Sequence, residues 1–368
     1  MTRRRGGSAW KAALIVVVCG ALSAACADQH VVNKINLVQT VSYDAEEEGV
    51  KSAVLVASYK EKGKTELQLL DTASSSVFDV LPRLNTKTNR PLEYGQLRMA
   101  VFGEAYARKG IGTVIHSLCR DPKISTRMQL GVADGVAADL LNVAETKQAA
   151  YYLADMIEQN AEEGNLPSLN LHTAFFSFYG AGRDMYLPYF TVERGEIKID
   201  GLALFKDDRF VARVGIRDAF LLKLLTEKTR SGSYMIPVSR SKRGDQGVVL
   251  LNNLGSKARF DVLRVGPPSS VAVRVALDAQ VKDVPAWIDL TSKSRIARLE
   301  RTIGTYLEEE IDRFIAYCRE RRVDPIGFGD LVRSRSKAWD ARTFEDAYPS
   351  FRATVRVEVN IVQTGVGR

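Results

Sequence analysis

The sequence predicts an α+β protein with more than one domain, in which mixed or antiparallel sheets are flanked by helices. Apolar residues recur at helical spacing in the first half, strand-like segments crowd residues 197–277, and a long amphipathic helix and an alternating strand close the chain. Of the 368 residues 45% are hydrophobic and 26% are charged, which is a composition that supports a large core rather than disorder.

Candidate strands and helices alternate in the first half. The expected strands are Ile35–Tyr43, Val50–Tyr59 and Leu97–Gly103. Helical spacing is carried by Val77, Val80, Leu81 and Leu84, by Ile111, Val114, Ile115 and Leu118, and by Ala150, Leu153, Ala154, Ile157 and Ala161. Asp121-Pro122 ends the second helix and Gly164 the third. We expect a solvated acidic turn at Asp44–Gly49, a turn at Gly63, and a glycine- and aromatic-rich loop over Phe175–Phe190.

The second half is richer in strands. The expected strands are Ile197–Phe205, Phe210–Gly215, Val248–Asn252, Arg259–Val265, Val271–Leu277 and Val355–Ile361. Lys206-Asp207-Asp208 is the expected hairpin turn between the first two, and Asp218 is a candidate cap for a helix that carries Leu221, Leu224 and Leu225. This change of pattern places a domain boundary near residue 195, so that the domains span residues 26–195 and 196–368, with a second candidate boundary at Pro267-Pro268.

The longest predicted helix runs over Ser292–Arg319. Its apolar face consists of Ile296, Leu299, Ile303, Leu307, Ile311, Phe314 and Cys318, and the opposite face carries Arg298, Arg301, Glu308 and Arg319. One apolar stripe indicates packing on a sheet. We therefore predict a C-terminal layer sandwich in which the last strand pairs beside Val271–Leu277 and the segment from Asp324 to Pro349 crosses the surface.

The N-terminus has the order of a secretory signal. Arg3-Arg4-Arg5 and Lys11 precede an apolar stretch that is shorter than the about 20 residues of a membrane span, and small residues follow. The small residues end at Ala24-Ala25-Cys26, which resembles a bacterial lipobox, in which the cysteine thiol takes a lipid with two acyl chains. The match is imperfect because Ser23 replaces the usual leucine. We expect residues 1–25 to be a lipoprotein signal peptide and Cys26 the lipidation site; the alternative is an ordinary signal peptide with a chance cysteine.

Charge and cysteine content exclude several classes of function. The net charge of +8 includes four basic residues and no acidic residue in positions 1–25, so the mature chain carries 8 − 4 = +4. That small value, without a recognition motif, argues against nucleic-acid binding. The cysteines are Cys19, Cys26, Cys119 and Cys318, with no CxxC pair, so a zinc site is not expected. We interpret Cys119 and Cys318 as buried free thiols rather than a disulfide.

No motif for catalysis is present in the sequence. The three histidines, His30, His116 and His172, form no HExxH motif, and no GxSxG nucleophile elbow occurs. The glycine pairs in Gly180-Ala181-Gly182 and Gly327-Phe328-Gly329 lack the lysine of a phosphate-binding loop. Glu308, Glu309 and Glu310 belong to a helix surface. We therefore expect no catalytic, cofactor-binding or metal-binding residues, and no enzyme activity.

Four segments of the chain resemble the Ger(x)C family, the C subunit of spore germinant receptors. The first runs from Glu93-Tyr94-Gly95-Gln96-Leu97 through Val101-Phe102-Gly103-Glu104 and Ala107-Arg108-Lys109-Gly110-Ile111 to Arg120-Asp121-Pro122. The second is Ile199-Asp200-Gly201-Leu202-Ala203-Leu204-Phe205-Lys206-Asp207-Asp208. The third is Asp324-Pro325-Ile326-Gly327-Phe328-Gly329 with Trp339 downstream, and the fourth is Val355–Ile361 followed by Gly365. Their order and spacing across the chain make the resemblance specific, although Ala27 replaces the family's tryptophan after the lipidated cysteine.

The resemblance implies a lipoprotein with acyl chains such as palmitate, held on the outer face of the spore inner membrane. It implies A- and B-type membrane subunits as partners, and detection of a small-molecule nutrient by the complex. The motif residues are also interpreted as determinants of the fold. Arg120-Asp121-Pro122 ends a helix, Gly201 and Gly327 permit close backbone approach, and Asp324-Pro325 marks a turn. The alternative function is a solute-binding lipoprotein of a transporter, which would have two βαβ-rich lobes, and a third is an extracellular hydrolase.

Overall fold

A computed structural model describes residues 35–59, 65–149, 151–240, 244 and 246–364. In this part of the chain the strands form two sheets. The first sheet contains β1 Asn36–Ala45, β2 Val50–Tyr59, β3 Thr65–Ser74, β4 Leu92–Glu93, β5 Met99–Gly103, β6 Gln129–Ala133, β7 Tyr186–Glu193, β8 Glu196–Lys206 and β9 Arg209–Gly215. The second contains β10 Ser233–Ser239, β11 Gln246–Arg264, β12 Ser270–Asp283 and β13 Arg352–Thr364.

Helices connect and cover these strands, so the predicted α+β class is confirmed. They are α1 Val80–Asn85, α2 Glu104–Lys109, α3 Gly112–Arg120, α4 Ala137–Thr146, α5 Tyr152–Glu162, α6 Leu171–Tyr179, α7 Ile216–Thr226, α8 Lys293–Glu320, α9 Phe328–Arg333 and α10 Ala341–Ala347. Short 3-10 turns precede α1 at Val77–Asp79 and β13 at Tyr348–Ser350.

The first sheet has the strand order β3-β2-β1-β5-β6-β7-β8-β9, with β4 paired to β1. Its centre, β1-β5-β6-β7, is parallel, and antiparallel strands flank it on both sides. The β3 edge is covered by side chains at the end of α4: the backbone N–H of Leu67 donates to Gln148 Oε1 at 3.2 Å and that of Leu69 to Glu145 Oε1 at 2.9 Å. Because these N–H groups of the edge strand already have acceptors, they cannot pair with a strand of another chain.

Two hydrophobic clusters fill the faces of the first sheet. One face is covered by α1, α2, α3 and α6, and its cluster contains Phe102, Ile115 and Tyr189. The other face is covered by α4, α5 and α7, and its cluster continues into the second sheet and α8. Helix α7 is buried over most of its surface because it packs against strands of both sheets: Phe220, Leu221, Leu222, Leu224 and Leu225 are all buried.

The predicted C-terminal layer sandwich is confirmed. Strand β13 pairs in parallel with β12, with Val273 opposite Val355 and Val275 opposite Val357, and α8 buries its apolar face against them. Gly304 of α8 permits close contact, since a Cβ at this position would lie 2.9 Å from the carbonyl oxygen of Val357.

The polar face assigned to α8 is partly wrong. Glu308 Oε1 accepts from the backbone N–H of Val357 at 2.9 Å, and Glu300 Oε1 accepts from that of Ile361 at 2.8 Å. Arg319 donates from Nη1 to the carbonyl of Phe351 at 2.6 Å. These half-buried side chains therefore cover the open edge of β13, as side chains at the end of α4 cover β3.

The structure corrects several other predictions. The loop expected over Phe175–Phe190 is largely helix α6 and strand β7, because Asn170 and Thr173 form a capping box that starts the helix. The two strands expected between Val248 and Val265 are one long strand, β11, with a bulge near Gly255. Strands β3, β6 and β10 and helix α4 were not predicted. The segment Asp324–Pro349 is packed rather than superficial, since Phe328, Phe344 and Tyr348 are buried.

Two aspartates lie in environments that the sequence did not reveal. Asp44, expected in a solvated turn, is buried at the end of β1, and its carboxylate accepts from the backbone N–H groups of Ala137 at 2.6 Å and Ala138 at 2.9 Å. It therefore caps α4 from a distant strand. Asp218 lies in the first turn of α7 but is not its cap; it pairs with Arg313 at 2.9 Å.

The domain boundary near residue 195 stays a prediction. Strands β8 and β9, which follow it, pair within the first sheet, and the chain enters the second sheet only between Gly215 and Ser233. The turn expected at Gly63 lies outside the described residues.

Candidate functional site

Three of the four segments that resemble the Ger(x)C family meet at one place, between the first sheet and the helices that precede β13. The loop Gly180–Asp184 joins them there, and we call the whole contact region the junction. The junction consists of this loop, the end of β8 at Lys206, the turn Asp207-Asp208, the α2–α3 corner at Gly110-Ile111, and Asp324–Asp330.

Asp324 organises the third segment. The side chain is 4% exposed, and its carboxylate accepts from the backbone N–H of Gly327 at 2.9 Å and of Gly329 at 2.8 Å. Gly327 adopts a φ of +84°, a left-handed conformation that favours glycine. Asp324 therefore holds the turn that starts α9, as its position before proline predicts.

Asp184 is the partner of this turn. Its carboxylate accepts from the backbone N–H of Asp324 at 2.6 Å, and its own backbone N–H donates to the carbonyl of Asp324 at 2.9 Å. Lys206 Nζ, at the end of the second segment, lies 3.3 Å from Asp184 Oδ1 and 3.0 Å from Glu345 Oε1 of α10. Lys206 thereby links β8 to the Gly180–Asp184 loop and to α10.

Glycines allow the loop and α9 to touch through their backbones. The N–H of Asp330 donates to the carbonyl of Gly182 at 2.7 Å. A Cβ on Gly329 would lie 2.8 Å from the backbone of Gly182 and 2.7 Å from the ring of Phe344. The glycines of Gly180-Ala181-Gly182 and Gly327-Phe328-Gly329 thus serve close packing between segments.

The first segment docks on the turn of the second. The backbone N–H of Ile111 donates to the carbonyl of Asp208 at 2.9 Å, and that of Gly112 to Asp208 Oδ2 at 3.2 Å. A Cβ on Gly110 would lie 2.6 Å from the same carboxylate oxygen. Gly201 is equally constrained: its φ is +148°, and a Cβ would lie 2.0 Å from the carbonyl oxygen of Val214 on β9. These contacts confirm the interpretation of the motif residues as determinants of the fold.

Glu104 of the first segment and Asp134 of β6 form a carboxylate pair around Tyr189. Tyr189 Oη lies 2.5 Å from Glu104 Oε2 and 3.0 Å from Asp134 Oδ1, at the carboxyl ends of β5 and β6. Burial and the two carboxylates raise the pKa of Tyr189, so its hydroxyl stays protonated and donates. The Arg108 side chain pairs with Glu104 at 2.7 Å. The cluster ties β7 to the α2 corner.

A cavity of about 290 Å³ opens at the junction. Its charged lining comprises Arg183, Lys206 and Arg322 together with Asp184, Asp207, Asp324, Glu345 and Asp346. Burial raises the pKa of Asp324 to about 7, although backbone N–H groups favour its charged form. Burial also raises the pKa of Asp184, against the opposing effect of Lys206. The net charge of the junction therefore changes with pH near neutrality, as Asp324 gains or loses its proton.

The remaining predicted residues lie apart from one another. Cys26 and His30 fall outside the described residues. His116 is exposed and contacts Tyr179, and His172 is exposed. Cys318 is buried and Cys119 half-buried; both are free thiols, and burial raises the pKa of each. Within the described residues, no group of three His, Cys, Asp or Glu side chains is placed to hold a metal ion.

Asp184 is the junction residue that sequence reasoning missed. It lies inside the stretch interpreted as a loop, between Gly182 and the largely buried run Met185–Phe190. The sequence signal that could have found it is an aspartate that follows a pair of glycines and comes directly before an apolar strand. In the segments that the structure covers, no helix combines the length and apolarity needed to cross a membrane.

Two family models match consecutive parts of the chain. The model described as "Spore germination protein N-terminal domain" matches residues 28–192, and the one described as "Spore germination B3/GerAC like, C-terminal" matches residues 200–365. Together they cover every segment that forms the junction.

Curated relatives are similar over almost their whole length. Spore germination protein GerQC of Bacillus cereus is 28% identical, covering 93% of this chain and 95% of that protein. The putative spore germination protein YfkR of Bacillus subtilis (strain 168) is 20% identical over 97% of both chains.

A crystal structure of the GerBC protein has the same fold, with a TM-score of 0.57 at 15% identity, over 88% of this chain and 96% of that one. The names of the relatives describe germination proteins and not enzymes. The chain therefore belongs to the Ger(x)C family of spore germination proteins, the C subunits of germinant receptors.

Proposed function

We propose that this chain is a lipid-anchored C subunit that acts with A- and B-type membrane subunits in nutrient-triggered spore germination. The observation that carries the proposal is the match of both family models, which cover residues 28–192 and 200–365. The role is that of a non-catalytic component of a receptor complex.

The construction of the junction supports a role in assembly rather than in chemistry. Its carboxylates all accept hydrogen bonds from backbone N–H groups: Asp184 and Asp208 from a neighbouring segment, and Asp324 from its own turn. A carboxylate occupied in this way fixes the chain and is not free to act as a base or a nucleophile. The motif residues thus hold the two sheets in one arrangement, which a partner could recognise as a rigid surface.

Lipidation of Cys26 would supply the membrane attachment. The Ala24-Ala25-Cys26 sequence follows a basic and apolar leader, and β1 begins only at Asn36. Two acyl chains give stable anchoring, whereas one gives marginal binding. The chain would then stand on the outer face of the spore inner membrane, next to the membrane subunits.

The alternative, a solute-binding lipoprotein of a transporter, finds less support. Such a protein would carry two βαβ-rich lobes. Here the described parallel strands β1, β5, β6 and β7 share one sheet, and the second sheet is antiparallel apart from its β12–β13 pair.

Deletion of the gene, followed by a germination assay against a panel of nutrients, tests the proposal. We expect loss of the response to one nutrient or a small set, with normal germination in response to agents that bypass receptors. Restoration by the intact gene is the control. Unchanged responses to every nutrient, together with loss of uptake of one solute, would favour the transporter alternative.

A further inference from the structure

Helix α6 exposes aromatic side chains on the face that points away from the first sheet. Phe176 is 56% exposed, Tyr179 52% and Phe175 36%, and His172 is exposed as well. The four residues follow the spacing i, i+3, i+4 and i+7, so they form one face of the helix. A helix that packs on a sheet usually carries polar residues there. We call His172, Phe175, Phe176 and Tyr179 the aromatic stripe.

The rings of the aromatic stripe form a continuous surface with helix α3. The ring centroids of Phe175 and Tyr179 are 4.5 Å apart, and those of Tyr179 and His116 of α3 are 5.3 Å apart. The guanidinium carbon of Arg183 lies 4.4 Å from the ring centroid of Phe176. Single exposed apolar residues are ordinary on a protein surface, whereas a contiguous group marks a surface that interacts with something else.

The start of α6 lies close to the point at which the chain enters the first sheet. The first residues of β1 pair with β4, and Glu93 of β4 pairs with Lys123 Nζ at 2.7 Å. Lys123 belongs to the loop after α3. In the same loop the carbonyl of Thr126 accepts from the backbone N–H of His172 at 3.0 Å. The beginning of β1 and the beginning of the aromatic stripe are therefore linked through two short segments.

The proposed lipid anchor could reach the same part of the surface. Asn36, where β1 begins, follows Cys26 by ten residues, and ten extended residues span at most about 33–36 Å. Helix α6, with nine residues, is about 14 Å long. This placement rests on the proposed lipidation of Cys26. A lipid attached there would hold the membrane within reach of the aromatic stripe.

Basic side chains lie towards the same end of α6. Arg120, in the last turn of α3, and Arg127, in the loop before β6, are both exposed. Helix α3 runs antiparallel to α6, because a Cβ on Gly112 at its start would lie 3.3 Å from the ring of Phe178 near the end of α6. Arg120 is therefore at the end of α3 that faces the start of the aromatic stripe. Exposed aromatic rings beside basic residues are typical of surfaces that bind at the membrane interface.

We propose that the aromatic stripe docks on the surface of the membrane to which the chain is anchored, with its rings at the level of the lipid head groups. A lipid joined through a link of ten residues holds the protein near the bilayer without fixing its orientation. The aromatic stripe supplies a second contact, and the two together set which face of the chain meets the membrane.

The test supplies the anchor chemically, so that it does not depend on lipidation in the cell. Residues 26–368, which include every described element, are coupled through the Cys26 thiol to a maleimide lipid. Cys119→Ser removes the half-buried thiol, and Cys318 is buried. The vesicles contain phosphatidylcholine and phosphatidylglycerol with brominated acyl chains, which quench the fluorescence of a tryptophan that contacts them.

Two substitutions place a reporter on the chain. Phe176→Trp puts a tryptophan on the aromatic stripe, and Leu263→Trp, at a 64% exposed apolar position of β11, is the matched control. We expect blue-shifted and quenched emission for Phe176→Trp. Emission for Leu263→Trp should show no quenching beyond that of Trp287 and Trp339, which both variants retain. The melting temperature of each variant shows that it is folded.

A third variant tests the contribution of the basic residues. Arg120→Glu together with Arg127→Glu, introduced into the Phe176→Trp chain, should reduce the quenching in vesicles that contain phosphatidylglycerol. In vesicles of phosphatidylcholine alone the same pair should have no effect, because these head groups carry no net charge for the arginines to attract.

Two results would overturn the proposal, namely unquenched emission for Phe176→Trp and equal quenching for Leu263→Trp. Unquenched emission, combined with loss of co-purifying membrane subunits from spores that carry Phe176→Ser, would assign the aromatic stripe to a protein contact instead. Because the anchor is supplied chemically, none of these outcomes decides whether Cys26 is lipidated in the cell, which mass spectrometry of the extracted protein tests separately.

Discussion

At the scale of single residues, the protonation of Asp324 makes the stability of the folded chain depend on pH. Burial raises its pKa to about 7, whereas the unfolded carboxyl group titrates near pH 3.9. Between these values the folded chain holds a proton that the unfolded chain releases. Raising the pH across this window therefore favours unfolding, and stability falls by up to about 1.4 kcal/mol per pH unit.

The substitution Asp324→Asn tests this linkage. A neutral amide cannot titrate, so the fall in unfolding free energy between pH 5 and pH 7 should become shallower than in the unchanged protein. Part of the pH dependence should remain in the variant, because burial also raises the pKa of Asp184. Urea denaturation at pH 5, 6 and 7 measures both slopes, and identical slopes would show that Asp324 is ionised throughout.

Gly329 tests the backbone contact between α9 and the Gly180–Asp184 loop. Its Cβ would lie 2.7–2.8 Å from Phe344 and the backbone of Gly182, so Gly329→Ala should destabilise the protein by about 1–3 kcal/mol through overpacking. Gly95→Ala is the matched control, because nothing lies within 4 Å of its Cβ position. Equal denaturation midpoints for the two variants would contradict the packing described for the junction.

Cys26 is the proposed site of lipidation, through which the chain would attach to the membrane. Mass spectrometry of the membrane-extracted protein should find Cys26 as the lipidated N-terminus. Cys26→Ala should release the protein from membranes without altering its melting temperature, because residue 26 precedes the first strand. Cleavage elsewhere with an unmodified Cys26 would favour an ordinary signal peptide.

At the scale of elements, β13 completes the second sheet and is covered by α8. Removal of the chain from Val355 onward would unpair the edge of β12 and expose Ile303, Leu307 and Ile311 of α8, all buried in the intact protein. We expect an aggregating product with a lowered melting temperature. Removal of residues 365–368 alone is the control. A monomeric truncated protein with an unchanged melting temperature would show that β13 is peripheral.

Elements with strong periodicity were predictable from the sequence, and weakly patterned ones were not. Helix α8 and strand β13 show clear 3.6- and 2-residue periods, so the layer sandwich followed from them. Strand β10 contains Pro237, and proline argues against a strand anywhere except at a sheet edge. Strand β10 is an edge strand of the second sheet. Strand β6 contains Gly131, whose missing side chain makes room for Phe190.

At the scale of the whole molecule, the order of the motifs predicted the family, but their meeting place could not be read from the sequence. Lys206 and Asp184 are separated by 22 residues, and Asp184 and Asp324 by 140. Such contacts depend on how the two sheets pack, and no local pattern encodes them. The same packing creates the charged cavity of the junction.

The central claim, that this chain is a receptor subunit, also belongs to this scale. Affinity purification of the tagged chain from detergent-solubilised spore membranes, followed by mass spectrometry, tests it most directly. The claim predicts that A- and B-type membrane subunits co-purify with the tagged chain and that an untagged strain recovers none of them. Recovery of the chain alone, or together with a transporter permease instead of these subunits, would contradict it.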